Sequence, residues 1–182
     1  LQRAEINPKK LKGFVPPKFK KKNLNFEKKF IKILKKAKKP LFVLGHGINI
    51  SNTKNQVKSI IKKTGIPYVP SWATVDLFPY DDRLNAGTFG VAANRYGNFA
   101  IQNSDLIISL GCRLNTQITG SNIASFAPKA KKIIVDIDKY EFKKNNGLKI
   151  DLKINLDLKV FFQKIMPLIK TKKIIFNGLT NL

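Results

Sequence analysis

The sequence predicts an α/β domain, a parallel sheet with helices on both faces. Two observations carry that expectation. Short continuous apolar runs recur between turn residues: LFVL at 41–44, the run inside SDLIISLGCRL at 104–114, and KKIIVDID at 131–138. Such runs suit strands buried on both faces. Between them lie stretches whose apolar residues repeat at helical spacing, beginning with NFEKKFIKILKKAKK at 25–39. Strands alternating with helices imply right-handed crossovers in one sheet.

The composition bounds what such a domain does. The chain has 182 residues, 43% of them hydrophobic, which suits one domain with tails. Its single cysteine, Cys112, rules out a disulfide framework and reads as an ordinary small residue. No apolar run approaches the roughly 18 residues of a membrane-spanning helix, and no signal-peptide core opens the chain. A cytoplasmic protein without a membrane partner is therefore expected. The net charge of +24 invites a nucleic-acid reading. Arg3, Arg83, Arg95 and Arg113 are, however, the only arginines, and base and phosphate recognition favours arginine's fork. The lysine clusters within 20–22, 35–39 and 129–132 suit solvated helix faces and loop ends, so no nucleic-acid partner is expected.

Taken in order, residues 1–23 show no periodicity, and Pro8, Pro16 and Pro17 break any helix, so a linker is expected. Residues 25–39 set Phe26, Phe30, Ile33, Leu34 and Ala37 on one helical face, capped by Asn23 or Asn25 and stopped by Pro40. A strand at 41–44 leads into Gly45-His46-Gly47. A helix follows, with Ser51 or Asn52 as its cap and Val57, Ile60 and Ile61 inward. Strand, glycine turn and helix together form a phosphate cradle, since glycine lets a ligand approach and a helix amino end favours anions; a plain tight turn is the alternative. His46, the only histidine, has no partner for a metal site. Gly65 ends the helix, and a strand is expected at 66–69. The loop 70–79 carries Trp72 and Phe78, which either line a ligand's rings or pack under the loop. A glycine-rich passage, NAGTFG at 85–90, precedes a helix over 92–103 that Gly97 interrupts.

The central strand, within 104–114, ends at Gly111, and Arg113 follows. Open α/β sheets bind ligands beyond the carboxyl ends of their strands, so Gly111 and Arg113 stand where an anion is held. Asp136 ends the next strand and either accepts from ribose hydroxyls or caps the segment 139–144. A last strand at 148–154 and a helix at 157–169, with Val160, Phe161, Ile165 and Leu168 inward, complete the domain.

In this order and spacing, KKAKKPLFVLGHGINIS, GIPYVPSWATVDLFPYDD, GTFG, SDLIISLGCRLNTQITG, FAPKAKKIIVDIDKYEFKKN and INLD resemble the central domain of thiamine-diphosphate-dependent enzymes, most closely the acetolactate synthase group. The resemblance spans about residues 24–170. It implies a three-layer, Rossmann-like domain with a six-stranded, mostly parallel sheet. It implies that 1–23 leads from a pyrimidine-binding domain and that 171–182 opens a linker to a diphosphate-binding domain. Thiamine diphosphate, Mg2+ and the catalytic glutamate would lie in those flanking domains, leaving no catalytic residue or metal ligand here. The parent enzyme would be a homodimer or homotetramer acting on a 2-oxo acid. The central domain holds FAD in acetolactate synthases, and an ADP-type ligand or nothing in relatives. By this resemblance Gly45, His46 and Gly47 match the first glycine run, and Trp72 and Ala73 the flavin side. Gly87, Thr88, Phe89 and Gly90 match a glycine passage near the dinucleotide. Gly111 and Arg113 match the pyrophosphate contact, and Asp136, Ile137 and Asp157 the ribose and adenine end. Asn115, Thr116 and Gln117 stand where acetolactate synthases have Asp-Asp-Arg, and extra residues surround AANRYGN. These departures fit a related carboligase or decarboxylase, such as those of surface-sugar pathways, and leave FAD open. A sirtuin-like or transhydrogenase-like enzyme would need a catalytic histidine and zinc cysteines that this sequence lacks. A purely structural spacer with an empty cleft stays open.

Overall fold

The computed structural model describes residues 7–10, 12–13, 25–143, 147–172 and 174–176. The linker expected at 1–23 lies mostly outside them. Five strands, β1 (Pro40–Leu44), β2 (Tyr68–Pro70), β3 (Leu106–Leu110), β4 (Lys131–Asp136) and β5 (Leu152–Asn155), form one sheet in the order β2-β1-β3-β4-β5. Every pairing is parallel. The helices are α1 (Glu27–Lys36), α2 (Gly47–Ile50), α3 (Lys54–Thr64), α4 (Arg95–Asn103), α5 (Thr116–Thr119) and α6 (Leu158–Lys172).

The strands read as unbroken apolar runs because both sides are covered. In β1, Phe42 and Leu44 join one core cluster while Leu41 and Val43 join the other. The first cluster lies under α1, α3 and α6. Phe161 of α6 stacks on Phe26 at 5.8 Å and meets Phe30 edge-on at 5.6 Å. The second lies under α4 and flanking loops, where Ala100, Ile101, Phe89 and Phe126 are buried and Phe142, Leu148 and Ile150 pack against them. Each fully buried Phe, Leu or Ile side chain contributes about 1.5–3 kcal/mol.

The sheet has five strands among the described residues, against the six that the resemblance implied. The outer edge of β2 explains the difference. There Tyr68 donates to the Leu84 carbonyl and accepts from the Ala86 amide, each at 2.9 Å, making a single parallel bridge with Asn85. Gly87, at φ +88°, then turns the chain away before a ladder forms.

Several boundaries move for local reasons. Phe26, not Asn23 or Asn25, holds the N-cap position of α1, and Thr53, not Ser51 or Asn52, that of α3; neither caps with its side chain. Ser51 instead donates to the Gly47 carbonyl of the short helix α2 at 2.7 Å. Gly65 ends α3 at φ +65°, as its C′ placement predicts. Gly97 does not interrupt α4; it lies buried inside the helix, where a Cβ would strike the Gly87 and Thr88 carbonyls. In α6, Phe162 and Ile169 are buried and Val160 and Leu168 only half so, a modest rotation of the expected face. The helix runs on to Lys172, and Ile174 is buried within the stretch expected as linker.

Candidate functional site

A cavity of about 570 Å³ opens beyond the carboxyl ends of β1, β3, β4 and β5. The parallel register creates it, since Leu44 pairs with Leu110 and Leu110 with Val135, so three turns leave the sheet side by side. Gly45, His46, Gly47, Ala73, Gly111, Arg113, Asp136, Ile137 and Asp157 all line this one cavity.

The glycines serve a different purpose from the expected clearance for a ligand. The Gly45 amide donates to the Leu110 carbonyl and the Gly47 amide to the Gly111 carbonyl, both at 3.0 Å. A Cβ on Gly47 would lie 2.8 Å from the Gly111 Cα, and one on Gly45 would overlap the Cys112 backbone. Gly111 itself sits at φ +57°, where a side chain is strained. The turns after β1 and β3 therefore interlock backbone to backbone, and the amides of Gly45 and Gly47 are engaged within the fold.

Side chains supply the remaining polarity. His46 Nδ1 lies 3.4 Å from the Ala73 carbonyl, which also accepts from Asn49 at 3.3 Å, fastening α2 to the loop after β2. Arg113 Nε lies 3.3 Å from Glu141 Oε1, and the arginine side chain remains 74% exposed. That contact does not consume the fork of terminal nitrogens that grips a phosphate. Three aspartates shape the rim through one repeated device. Asp136, Asp138 and Asp157 each accept, at Oδ1, the amide two residues on, at 2.9, 2.9 and 2.7 Å. Capping of the 139–142 turn falls to Asp138, not Asp136. Asp136 is nearly buried, and burial pushes its carboxyl above the usual carboxylate range. The neighbouring Glu141 and Asp138 charges add to that rise; the Asp138 amide and Arg113 oppose it.

Five expected residues stand apart from the cavity. Trp72 is half-exposed outside the lining, and Phe89 is fully buried in the core. Gly87 and Thr88 pack on Gly97, while Gly90 both donates to and accepts from the Asn98 side-chain amide at 2.9 Å. Asn115 and Asp138 line the cavity, and Glu141 pairs with Arg113; the site residues read from the sequence include none of the three. Their signals were present: Asp138 repeats the Asx turn in D-I-D, and Asn115 is an N-cap whose Oδ1 accepts the Ile118 amide. Among the described residues no group of three His, Cys, Asp or Glu side chains forms a metal cluster, and no helix is long and apolar enough to cross a membrane.

Residues 28–165 match the family described as "Thiamine pyrophosphate enzyme, central domain". The chain is 27% identical over 166 residues to acetolactate synthase 2, chloroplastic, of Nicotiana tabacum, covering 91% of this chain and 24% of that protein. It is 31% identical over 139 residues to a probable acetolactate synthase large subunit of Methanococcus aeolicus, covering 76% and 23%. It is 33% identical over 139 residues to an acetolactate synthase of Mycobacterium bovis, covering 76% and 22%. The chain thus spans about a quarter of the length of these relatives.

Proposed function

Since this chain belongs to the family of thiamine pyrophosphate enzyme central domains, we propose that its cleft holds the adenosine-diphosphate moiety of a nucleotide, within an acetolactate-synthase-like carboligase or decarboxylase of 2-oxo acids. The observation that carries this reading is convergence. Residues expected at a dinucleotide come from the turns after β1, β2, β3, β4 and β5, yet line one cavity, at the topological position where open α/β sheets bind ligands. Its volume falls in the range of cofactor sites.

The charges suggest a direction. Arg113 is the one arginine in the lining, which also holds Asp136, Asp138 and Asp157. One cation and three carboxylates suit a ligand with a diphosphate at one end and hydroxyl donors at the other. Arg113 would grip the diphosphate, and Asp136 would accept from a ribose hydroxyl. FAD or ADP fits this donor set. Bound FAD would bring a redox-capable ring; this chain's residues would orient it and keep its phosphates neutralised. Thiamine diphosphate and Mg2+ belong in this proposal to other domains of the enzyme, and no residue described here is assigned to them.

A structural spacer with an empty cleft is the second reading. It is favoured by the engaged amides of Gly45 and Gly47 and by the Arg113–Glu141 pair. Calorimetric titration of ADP and of FAD into wild type and Arg113→Ala separates the two. The nucleotide reading expects binding that weakens about 10- to 100-fold in the variant, the scale of a charge-assisted hydrogen bond. Equal affinities would reject the role of Arg113, and no binding by wild type would favour the spacer.

A further inference from the structure

Helix α1 presents more cations than the fold uses. Lys28, Lys29, Lys32 and Lys36 stand exposed along it. With Ile33 and with Lys131, exposed at the start of β4, they line a groove of about 480 Å³. None of these residues belongs to the cavity at the carboxyl ends of the strands. Lys28, Lys32 and Lys36 follow one another at four-residue steps, so they form a row that rises roughly 6 Å per step. Like charges at that spacing repel and weaken a helix.

The domain does not relieve this repulsion itself. Among the described residues, no ion pair engages the ammonium group of any of these five lysines. The carboxylates around α1 and the start of β4 are engaged elsewhere. Glu27, the first residue of α1, pairs with Lys164 of α6. Asp105 accepts the amides of Lys38 and Lys39 at 2.7 and 2.9 Å, and Asp151 accepts the amide of Lys132 at 3.0 Å. The five cations share their groove with one apolar side chain, Ile33, which is half-buried and packs on the core beneath.

We propose that this groove docks an acidic amphipathic helix of a partner protein, with carboxylates at four-residue steps and an apolar residue among them. Three features select that occupant. A helix repeats its carboxylates at the same step of roughly 6 Å as the lysine row, so the pairs form in register. Ile33 and the lysine stems offer methylene surface, which an amphipathic helix covers and a phosphate chain leaves bare. The groove is lined by no arginine and no aromatic residue, the side chains that grip phosphates in pairs and stack on bases. The inference does not depend on the nucleotide reading of the cleft.

Fluorescence anisotropy with the 182-residue chain and two labelled model peptides tests it. Both peptides are alanine-based helices of one composition. The first sets its glutamates at four-residue steps with a leucine on the same face; the second scatters those residues round the helix. The first should bind about tenfold more tightly, with affinity falling as salt rises. The triple variant Lys28→Gln, Lys32→Gln and Lys36→Gln should weaken that binding about tenfold, as three exposed ion pairs together do. It should melt no lower than wild type, since the repulsion along α1 is gone. Lys62→Gln, Lys63→Gln and Lys170→Gln together remove equal charge at exposed positions outside the groove and should leave the preference between peptides unchanged. Equal binding of the two peptides overturns the proposal, as does an equal loss in the two triple variants. Tighter binding of polyphosphate or single-stranded RNA of matched charge also overturns it and assigns the groove to a phosphate polymer.

Discussion

Asp136 sits where two requirements oppose each other. Burial raises its carboxyl, so the folded chain holds this proton more tightly than the unfolded chain does. The sign follows: Asp136 supports the fold at pH below its unfolded value, and that support is lost as pH rises through the raised folded value. At neutral pH the ionised carboxylate therefore destabilises the ligand-free protein. Asp136→Asn keeps the Oδ1 acceptor for the Asp138 amide and removes the charge. Thermal melts should show the variant more stable than wild type at neutral pH, with the gap closing in acid. Calorimetry should show weaker nucleotide binding, and wild-type affinity should fall as pH drops through the raised value. A variant that is both less stable and unchanged in binding would contradict this account. Gly45 makes a second residue-scale prediction. Its missing Cβ admits the Cys112 backbone, so Gly45→Ala should cost about 3 kcal/mol in denaturant unfolding; a near-neutral change would show that the two turns do not interlock. The sequence showed that glycines belonged at these turns. It did not show why, because the partner of Gly45 and Gly47 is the backbone of a turn more than sixty residues away.

At the scale of elements, the strands were legible because burial on both faces leaves an unbroken apolar run, as in β1 and β3. Helix ends were less so. The N-cap positions of α1 and α3 fall to Phe26 and Thr53 without side-chain caps, so nearby Asn and Ser residues misdirect the reading. The sixth strand came from resemblance alone, and a single bridge at Asn85 stands in its place. The joint between α1 and α6 is open to direct test. Lys164 Nζ donates to Glu27 Oε1 at 2.7 Å. Burial would raise the Glu27 carboxyl, but the Lys164 contact and nearby backbone amides together hold it below its ordinary value. Its contribution is thus present above the unfolded value and lost as pH falls through the lowered folded one. Lys164→Met should cost about 0.5–1 kcal/mol near neutrality, as partly exposed pairs do, and that difference should shrink in acid. A pH-independent difference would mean that packing, not the pair, joins the helices. Phe161→Ala, beneath the same joint and fully buried against Phe26 and Phe30, should cost about 3–5 kcal/mol in denaturant unfolding.

At the scale of the whole molecule, the charges divide the surface into regions of different use. Lysine is dense on α1, α3 and α6, α4 carries none, and the cleft lining holds three aspartates and one arginine. This contrast makes the location of a bound nucleotide informative. A groove of about 480 Å³ lined by Lys28, Lys29, Lys32, Ile33, Lys36 and Lys131 offers an anion far more positive charge than the cleft does. If charge alone governed binding, a diphosphate would settle among those lysines; if the shaped site governs it, the diphosphate lies at Arg113. The most direct measurement is a crystal structure of the chain grown with ADP. The account predicts the diphosphate within hydrogen-bonding reach of the Arg113 guanidinium and the ribose hydroxyls at Asp136. Density for ADP in the lysine groove, with nothing beyond the carboxyl ends of β1, β3 and β4, would contradict it.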